Sequence, residues 1–495
     1  MGQKSRDCLL LSFLTLSALL YYLSYYNCNI IYLDQGYLLQ AAMRVMNGEV
    51  PFRDFHSDYP PGSYYFLALI FKIFGVKYNY AWMSWVFIHT ASVLLAYFIT
   101  RRFVPPFPAF AASLFVLAVP GPWHKSFFIF LPLLNLFMVF KILEKKNYKW
   151  VIAEAFIVVV SCFIRQDVGL YCCVVFLAAL GLMKDKRLFL TAVAAGIFFS
   201  LPIIFYYYSK GALPDMLSEL ATGGIKDTSA MNIPFPPVIP RFPTDLLAVL
   251  KNELYYLPFI IYPLCAIYLV RKWSALKEEG KNIHFLLFML LGMMLLSQLI
   301  NRSDMPHLWQ VLPPLYLLSV ILFNALKRIT AATLTALLLA LVLYTALQDP
   351  TSGSIALRAG CDTALDLPTA SIYLPRQQVS VIRKVLQFIK TNSREGSYIL
   401  AVPDIPMFYF LSERKDPIKF QVLLIGTASS PADQADVIRD IQAKEPRVCV
   451  LDTEEVDNFI PKRRFRNYSL LVYSYLMSHY KEVDSAGPFA LMVKI

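Results

Sequence analysis

Hydrophobic residues are grouped along this chain in runs long enough to cross a lipid bilayer. A spanning helix needs about 20 mostly apolar residues, and short polar segments separate runs of that order. The predicted crossings number about eleven and lie near residues 8–26, 79–100, 103–120, 127–143, 150–164, 168–183, 188–208, 254–270, 283–300, 308–325 and 329–347. We therefore expect residues 1–347 to form a transmembrane domain.

The pattern changes after residue 347, where shorter apolar segments alternate between the helical period and the strand period. The predicted elements are helices near 376–392, 431–443 and 468–479, strands near 397–402 and 447–452, and a terminal hairpin of 481–485 with 488–495. Helices that alternate with strands indicate a small α/β domain over residues 348–495.

The first polar loop, residues 27–78, has a helical pattern of its own. Asp34 is a suitable N-cap, and Gly48 is a suitable left-handed C-cap for the helix between them. Its apolar positions are Leu38, Ala42, Val45 and Met46, and its polar positions are Gln40, Arg44 and Asn47. A short helix with one wet and one apolar face is expected to lie flat in the membrane interface.

A second apolar segment of the first loop, residues 63–75, follows the turn Tyr59-Pro60-Pro61-Gly62. As a helix it would be roughly 20 Å long, which is too short to cross a hydrocarbon core of about 30 Å. We interpret it as an interfacial or re-entrant helix.

Composition supports a multi-pass membrane protein. The 495 residues are 57% hydrophobic and 16% charged, and a soluble fold of this size would need more polar surface. The net charge of +12 does not indicate nucleic-acid binding, because the basic residues form small clusters between apolar runs. Clusters of that kind are typical topology signals.

The basic clusters predict the orientation of the chain. They occur in alternate loops, at residues 4–6, 101–102, 141–149, 184–187, 271–281 and 327–328. By the positive-inside rule these loops are cytoplasmic, which places the N-terminus inside and the C-terminal α/β domain outside. The outer loops then mix acids, arginines and histidines. One of them, residues 209–253, is rich in proline and glycine and is predicted to be an irregular outer flap.

Asp34 is the leading candidate for a catalytic residue. A carboxylate at the membrane surface can act as a general base that takes a proton from an acceptor hydroxyl. The alternative is that Asp34 only caps the helix that follows it. One residue can do both.

The remaining acids and bases of the first loop are candidate substrate-binding residues: Arg53, Asp54, His56 and Asp58, with Tyr59 beside them. The alternative is that they only solvate an exposed loop. Asp54 and Asp58 could also bind a divalent cation, but two carboxylates without a spaced third ligand are a weak metal signal. We therefore assign no metal ligand and expect no required cofactor.

Two later outer loops repeat the mixture of charges. Arg165 with Asp167 is either an ion pair that stabilises a tight turn or a phosphate-binding arginine oriented by an acid. Arg302, Asp304 and His307 suit a lipid phosphate, because arginine offers a planar fork of donors and histidine can also donate. The alternative for this group is anchoring at the headgroups.

The first loop resembles that of the GT-C glycosyltransferases. The resemblance rests on Asp34-Gln35-Gly36-Tyr37, on residues 47–55, on the Tyr59-Pro60-Pro61-Gly62 turn and on residues 70–75. Within that superfamily it is closest to the bacterial branch related to protein O-mannosyltransferases and lipid A aminoarabinose transferases. Residues 165–171 and the group Arg302, Asp304 and His307 are similar to later motifs of the same branch.

The resemblance implies a sugar donor linked to a polyprenyl phosphate, reaction at the outer face of a bacterial inner membrane, and an acidic base in the first outer loop. Asp34 matches that acid, and Gln35 stands where many members have a second acid. The acceptor is then a glycan, a lipid or a protein. Two other functions stay open from sequence: a transporter or flippase of lipid-linked sugars, and a ligase or polymerase of lipid-linked glycans.

Overall fold

The structure is a computed structural model that describes residues 3–120, 125–230, 232–237, 246–348, 354–453 and 464–495. The helices before residue 231 are α1 (Gln3–Leu23), α2 (Asp34–Met46), α3 (Gly62–Phe74), α4 (Tyr78–Thr100), α5 (Pro106–Ala118), α6 (Ser126–Lys145), α7 (Tyr148–Ile164), α8 (Gln166–Met183), α9 (Lys186–Ser209) and α10 (Leu213–Ala230). The helices from residue 246 to residue 360 are α11 (Leu246–Arg271), α12 (Trp273–Glu278), α13 (Asn282–Leu295), α14 (Gln298–Asn301), α15 (Met305–Val311), α16 (Pro313–Phe323), α17 (Arg328–Leu347) and α18 (Ile355–Gly360).

The C-terminal part contains the strands. In chain order its elements are β1 (Thr363–Leu367), β2 (Ala370–Leu374), α19 (Arg376–Asn392), β3 (Leu400–Val402), α20 (Met407–Ser412), α21 (Pro431–Lys444), β4 (Val448–Asp452), α22 (Phe465–Tyr468), α23 (Leu470–His479), β5 (Tyr480–Ala486) and β6 (Phe489–Lys494). The predicted fold class, a helical membrane protein with a C-terminal α/β domain, is confirmed.

Eight helical segments in the described residues are long and apolar enough to cross a membrane. They are α1, α4, α6, α8, α9, α11, α13 with α14, and α17. A ninth is obtained if α15 and α16, which are bent by 50°, form one broken span. The bend occurs at Pro313 and Pro314, because proline lacks the N–H that would continue the helix. The chain is therefore an integral membrane protein.

Two of the eleven predicted crossings are shorter than a full span. The run near 103–120 contains α5, which has 13 residues because Pro105 and Pro106 set its start. The run near 150–164 is α7, which has 17 residues. The interfacial or re-entrant segment of the first loop is α3, also of 13 residues, which is too short to span as predicted.

The chain divides into two compact units. The first comprises residues 1–26, 83–203 and 233–358, and the second comprises residues 27–82, 204–232 and 359–495. The first loop and α10 thus belong to the same unit as the C-terminal α/β domain. The bounds of these units differ from the predicted domain boundary at residue 347.

In the first unit, α7 and α8 form a tight hairpin joined by Arg165. A Cβ atom on Gly169 would lie 2.3 Å from the backbone nitrogen of Cys162, so only glycine allows the two helices to approach this closely. The hairpin holds Arg165 and Asp167 at its tip.

In the second unit, α2 confirms the predicted helix but differs from the prediction at its start. Asp34 is the first helical residue, Leu33 takes the N-cap position, and no side chain caps the helix there. At the other end, Gly48 has φ +89° and donates its N–H to the carbonyl of Val45. The Glu49 N–H donates to the Arg44 carbonyl, and the two hydrogen bonds together form a Schellman motif.

The predicted wet face of α2 is wrong. Gln40 and Arg44 are buried, whereas Met46 on the predicted apolar face is exposed. Arg44 donates to Glu49 at 2.7 Å and to the backbone carbonyls of Ile418 and Asp54 at 3.0 and 3.1 Å. Part of the C-terminal domain covers this side of the helix and buries the guanidinium. The three partners then satisfy its hydrogen-bond donors.

The predicted irregular flap, residues 209–253, is partly regular. Its first half is α10, and its last part is the beginning of α11. Residues 238–245 of this loop lie outside the described residues. Asp215 lies in the first turn of α10, where an acid favours a helix, and this signal outweighs Gly223 and Gly224 further along.

The C-terminal domain is built on a four-stranded sheet of order β3-β4-β6-β5. β3 and β4 are parallel, and the other neighbours are antiparallel. The predicted helices, strands and terminal hairpin are all present, while the short β1–β2 hairpin and α20 were not predicted. α20 packs against α2, which also contacts α3.

Candidate functional site

The polar residues of the first loop divide into two pairs with different surroundings. Arg53 binds Asp54 through two hydrogen bonds of 2.9 and 2.8 Å and also donates to the carbonyl of Lys210. Asp54 in turn accepts from the backbone N–H of Val50 at 2.7 Å. The hydrogen bonds from Arg53 lower the pKa of the Asp54 carboxyl below its usual range. This pair stabilises the turn that follows α2.

His56 and Asp58 belong to a partly buried ionic cluster. His56 Nε2 lies 2.9 Å from an Asp58 oxygen, and His56 Nδ1 lies 3.0 Å from an oxygen of Glu219 on α10. Glu219 also accepts from the backbone N–H of Ser57 at 3.0 Å and lies 3.8 Å from Lys419 Nζ. Two segments far apart in sequence are thereby held together by one histidine.

Glu219 and Lys419 are the residues that the sequence interpretation missed. Glu219 lies in a stretch that proline and glycine suggested to be irregular, and Lys419 lies in the C-terminal domain. The helical character of residues 213–222, with Asp215 in the first turn, was the available signal for Glu219. The sequence carries no sign of the long-range pairing itself.

The cluster fixes the charge of His56. Burial lowers the pKa of a histidine, but the hydrogen bonds and charges of Asp58 and Glu219 outweigh burial and raise it from 6.5 to about 9. His56 is therefore positively charged at neutral pH. The imidazole ring also packs against Phe420, with ring centroids 5.2 Å apart.

The cluster opens onto a cavity of about 490 Å³ in the second unit. Its walls come from residues 56–58, from α10 and from residues 419–440. Tyr59, the fifth candidate of the first loop, is 42% exposed, and its carbonyl accepts a hydrogen bond from the Ser57 hydroxyl. The sequence prediction that His56 and Asp58 form part of a polar site thus has a structural counterpart, while their role stays a prediction.

Asp34 does not line this cavity. It is partly exposed at the first turn of α2, beside the buried Gln35. The amide oxygen of Gln35 accepts from the Ile31 N–H at 2.9 Å and from the Tyr78 hydroxyl at 3.2 Å. Gln35 therefore stabilises the entry into α2. Because Gln35 is only 3% exposed, a neutral amide avoids the cost of burying a second charge at this position.

In the first unit, Arg165 and Asp167 form a bidentate pair at the tip of the α7–α8 hairpin. The two hydrogen bonds are 2.8 and 3.3 Å long, and the guanidinium lies 4.7 Å from the centroid of the Phe128 ring. Asp167 also accepts from the Val168 N–H at 2.9 Å and from the Gln298 amide at 3.3 Å. The pair therefore links the hairpin to α14, which accounts for its place at a tight turn.

Arg302, Asp304 and His307 form a second group in the same unit. Asp304 accepts from Arg302 Nε at 2.7 Å, from the His307 N–H at 2.9 Å and lies 2.5 Å from His307 Nδ1. It caps α15 through the backbone contact. The Arg302 side chain is 44% exposed, whereas that of His307 is 13% exposed. The Arg302 guanidinium is therefore more accessible to a ligand than the His307 ring.

Among the residues that the structure describes, no group of three histidines, cysteines or acids is arranged to hold a metal ion. In the ionic cluster both imidazole nitrogens already contact carboxylates.

Comparisons with known proteins identify the fold. No protein-family profile and no curated protein sequence matches the chain. ArnT from Cupriavidus metallidurans, solved in the apo state, is similar over 100% of this chain and 99% of its own, with a TM-score of 0.56 and 11% identity.

Archaeal oligosaccharyltransferases are similar over most of the chain. AglB from Archaeoglobus fulgidus, solved with an inhibitory peptide and a dolichol-phosphate, covers 98% of this chain and 74% of its own, with a TM-score of 0.52 and 10% identity. The apo oligosaccharyltransferase of the same organism covers 90% of this chain and 70% of its own, with a TM-score of 0.53 and 10% identity. The chain therefore shares its fold with ArnT and with the archaeal oligosaccharyltransferase, which agrees with the fold that the resemblance in its first loop implies.

Proposed function

We propose that this protein is a glycosyltransferase that moves a sugar from a polyprenyl-phosphate-linked donor to an acceptor hydroxyl. The GT-C fold over the whole chain supports an enzyme of this class. The observation that carries the assignment is Asp34, a partly exposed carboxylate at the first turn of α2, in the loop directly after the first apolar helix.

In the proposed reaction Asp34 accepts the proton of the acceptor hydroxyl while that oxygen attacks the anomeric carbon. The bond from the anomeric carbon to the phosphate oxygen breaks, and the electron pair leaves with the polyprenyl phosphate. A single displacement inverts the configuration at that carbon. The departing phosphate is already acidic, so nearby positive charge can replace a general acid.

We assign the donor phosphate to the basic residues of the two later outer loops. Arg302 is the most accessible of them, and Asp304 orients both Arg302 and His307. Arg165 is held in one orientation by Asp167, which suits a planar fork that binds phosphate. In this proposal Arg53 and Asp54 maintain the shape of the first loop.

The proposed chemistry requires no cofactor, since a carboxylate base and cationic side chains supply its charge stabilisation. We expect the purified enzyme to retain its activity after dialysis against EDTA. Loss of activity that added Mg²⁺, Mn²⁺ or Zn²⁺ restores would contradict the cofactor-free reaction.

We further propose that the protein lies in a bacterial inner membrane, with its N-terminus in the cytoplasm. The sugar would then be transferred at the outer face, where the first loop and the C-terminal domain are expected. The alternating basic loops support this orientation.

Substitution of the base tests the proposal. Asp34→Asn keeps the size of the side chain but removes the proton acceptor, so we expect turnover to fall by a factor of about 10² to 10⁴. Asp215→Asn is the matched control, because Asp215 also lies in the first turn of a helix but is exposed on α10. Membrane insertion and thermal stability should stay close to wild type in both variants.

Radiolabelled polyprenyl-phosphate sugars presented to the purified protein identify the donor. Consumption of one of them by wild type and the Asp215→Asn variant, but not by the Asp34→Asn variant, supports the assignment. Near-normal turnover of the Asp34→Asn variant would contradict the role of Asp34. Movement of a labelled lipid across vesicles without its consumption would favour a transporter, and transfer of a whole lipid-linked glycan would favour a ligase.

A further inference from the structure

We propose that Glu154 carries a proton at neutral pH and pairs with Asn135 as a carboxylic acid with an amide, and that this pair positions Arg165. Glu154 lies on α7 and Asn135 on α6, both within the first unit. Only the role toward Arg165 rests on the proposed function, in which Arg165 binds the donor phosphate. The state of Glu154 is a property of the folded protein itself.

Glu154 and Asn135 are buried in the interior of the first unit. Both residues are 0% exposed, and so is Cys172 on α8. The Asn135 Nδ2 donates to the Glu154 Oε1 and, at 3.1 Å, to the backbone carbonyl of Cys172. One amide on α6 therefore contacts both helices of the α7–α8 hairpin. A buried carboxyl group among membrane helices is rare and normally has a specific role.

The Cys172 carbonyl fixes the orientation of the Asn135 amide. A carbonyl can only accept hydrogen bonds, so the amide atom beside it is the nitrogen and not the oxygen. Both N–H groups of that nitrogen are then used, one by Glu154 and one by Cys172. The remaining polar atom of the amide, Oδ1, can only accept.

Two buried acceptors are left over in this group. The Glu154 Oε2 and the Asn135 Oδ1 have no hydrogen-bond partner among the described residues, and both are out of reach of water. No basic side chain in the described ranges acts on Glu154 as a counter-charge. An ionised Glu154 would thus bury an uncompensated charge beside an unpaired oxygen, and both are costly in a protein interior.

A proton on the Glu154 Oε2 resolves both costs at once. It removes the charge and supplies the one donor that the group lacks. The acid and the amide then share two hydrogen bonds: the Asn135 N–H donates to Oε1, and the Glu154 O–H donates to Oδ1. Such a pair is neutral and leaves neither side chain with an unsatisfied polar atom.

The pair connects α6 to the hairpin that carries Arg165. The Arg165 guanidinium lies 4.7 Å from the centroid of the Phe128 ring, which also belongs to α6. Helix α6 thus meets the hairpin at two levels, at Asn135 inside the unit and at Phe128 beside the tip. Hydrogen bonds from Asn135 to both helices fix the register of the hairpin against α6. Glu154 and Asn135 are therefore positioning residues that act through Arg165.

Infrared spectroscopy of the full-length protein in detergent tests the protonation of Glu154. The carbonyl of a protonated carboxyl group absorbs at a higher frequency than a carboxylate. We expect this band at neutral pH in the spectrum of wild type minus Glu154→Gln, although an ordinary glutamate titrates near about pH 4.3. Glu144→Gln is the matched control, because Glu144 is also on α6 but forms an ion pair with Arg102 at 2.7 Å. A carboxylate band in the Glu154 difference spectrum would overturn the proposal.

Substitutions test the positioning role. Glu154→Gln replaces the O–H donor by an N–H donor in a side chain of the same size, so KM for the donor should stay within about twofold of wild type. Glu154→Leu leaves the Asn135 amide unpaired, so the unfolding midpoint should fall and KM should rise about tenfold, with a smaller change in kcat. Asn135→Leu combined with Glu154→Leu removes both partners, and the midpoint should recover above that of Glu154→Leu.

The outcomes separate this inference from the proposed function. A KM that rises in Glu154→Leu but not in Glu154→Gln supports the positioning role, whereas a lower midpoint with unchanged KM overturns that role. If wild type consumes no polyprenyl-phosphate sugar, the proposed function fails, and the infrared and unfolding results still decide the acid–amide pair. If donor is consumed but the band of the protonated carboxyl group is absent, this inference fails alone.

Discussion

His56 connects three segments of the second unit through a single imidazole. Its two nitrogens contact Asp58 and Glu219, and its backbone N–H donates to the carbonyl of Lys419 at 2.9 Å. Because both carboxylates favour the protonated ring, the imidazolium is the form that stabilises the folded protein. A residue of this kind makes stability depend on pH.

We expect the stability contributed by His56 to be lost in alkaline solution. The pKa of His56 is raised from 6.5 to about 9 on folding, so its contribution is complete below pH 6.5, declines through the interval and is absent above about pH 9. The linked free energy is roughly 3 kcal/mol. Asp416, whose burial raises its pKa to about 7, titrates earlier than His56. Burial also raises the pKa of the Cys449 thiol, so stability falls between pH 7.5 and 9.5 for that reason too, and the difference between wild type and His56→Gln isolates the contribution of His56.

Thermal unfolding of the purified protein across this interval measures the effect. The wild-type midpoint should fall as the pH rises, whereas the midpoint of His56→Gln should start lower and change less. His479→Gln is the control, because His479 is an exposed histidine of the same unit. Parallel pH curves for wild type and His56→Gln would refute the role assigned to this ion cluster.

The sequence identifies candidate residues of the first loop by their local surroundings, but it does not identify their partners in distant segments. Asp34, His56 and Asp58 stood out because charged groups are rare beside apolar runs. Glu219, 162 residues beyond Ser57, could not be paired with them, since no local periodicity encodes a contact of that range. Gln35 gave no sign of its two hydrogen bonds for the same reason.

At the scale of whole elements, the packing of α2 against α20 determines where Asp34 lies. The Met407 N–H at the start of α20 donates to the Tyr32 carbonyl at 3.3 Å, two residues before Asp34. This contact requires the two backbones to lie close together at Gly36. The periodicity of α2 predicted its length and its C-cap, but its buried face depends on this partner helix, which the sequence did not indicate.

We expect Gly36→Ala to destabilise the protein and to reduce activity together. An added Cβ would lie 2.3 Å from the Met407 nitrogen and 2.7 Å from its Cα, and backbone atoms cannot move aside as a side chain can. Overpacking of this kind costs about 1–3 kcal/mol or more. The accompanying shift of α2 would displace Asp34 from its working position.

Gly196→Ala is the control for this substitution. A Cβ on Gly196 in α9 would meet nothing within 4 Å, and alanine is the better helix former by about 1 kcal/mol. We therefore expect Gly196→Ala to leave the unfolding midpoint unchanged or raised. A Gly36→Ala protein with wild-type midpoint and turnover would show that the close approach of α2 and α20 is dispensable.

For the molecule as a whole, the α7–α8 hairpin shows that two of the basic clusters and the candidate residue Arg165 lie at opposite ends of the same pair of helices. Lys145 and Lys149 flank the start of α7, and Lys184 and Lys186 flank the end of α8. Since one residue joins the two helices, these four lysines lie at the open end of the hairpin and Arg165 lies at its closed end. The positive-inside rule then assigns opposite sides of the membrane to the lysines and to Arg165.

Reporter fusions test that orientation. Alkaline phosphatase is active only outside the cytoplasm, and green fluorescent protein fluoresces only when it folds inside, so paired fusions give opposite signals. In a bacterial host we expect the phosphatase to be active and the fluorescent protein dark when each is fused after Ile495. Fusions truncated after Lys146 should give the reverse. Cytoplasmic signals at Ile495 would place the C-terminal domain, together with the cavity that its residues help to line, on the side of the membrane opposite to the proposed reaction.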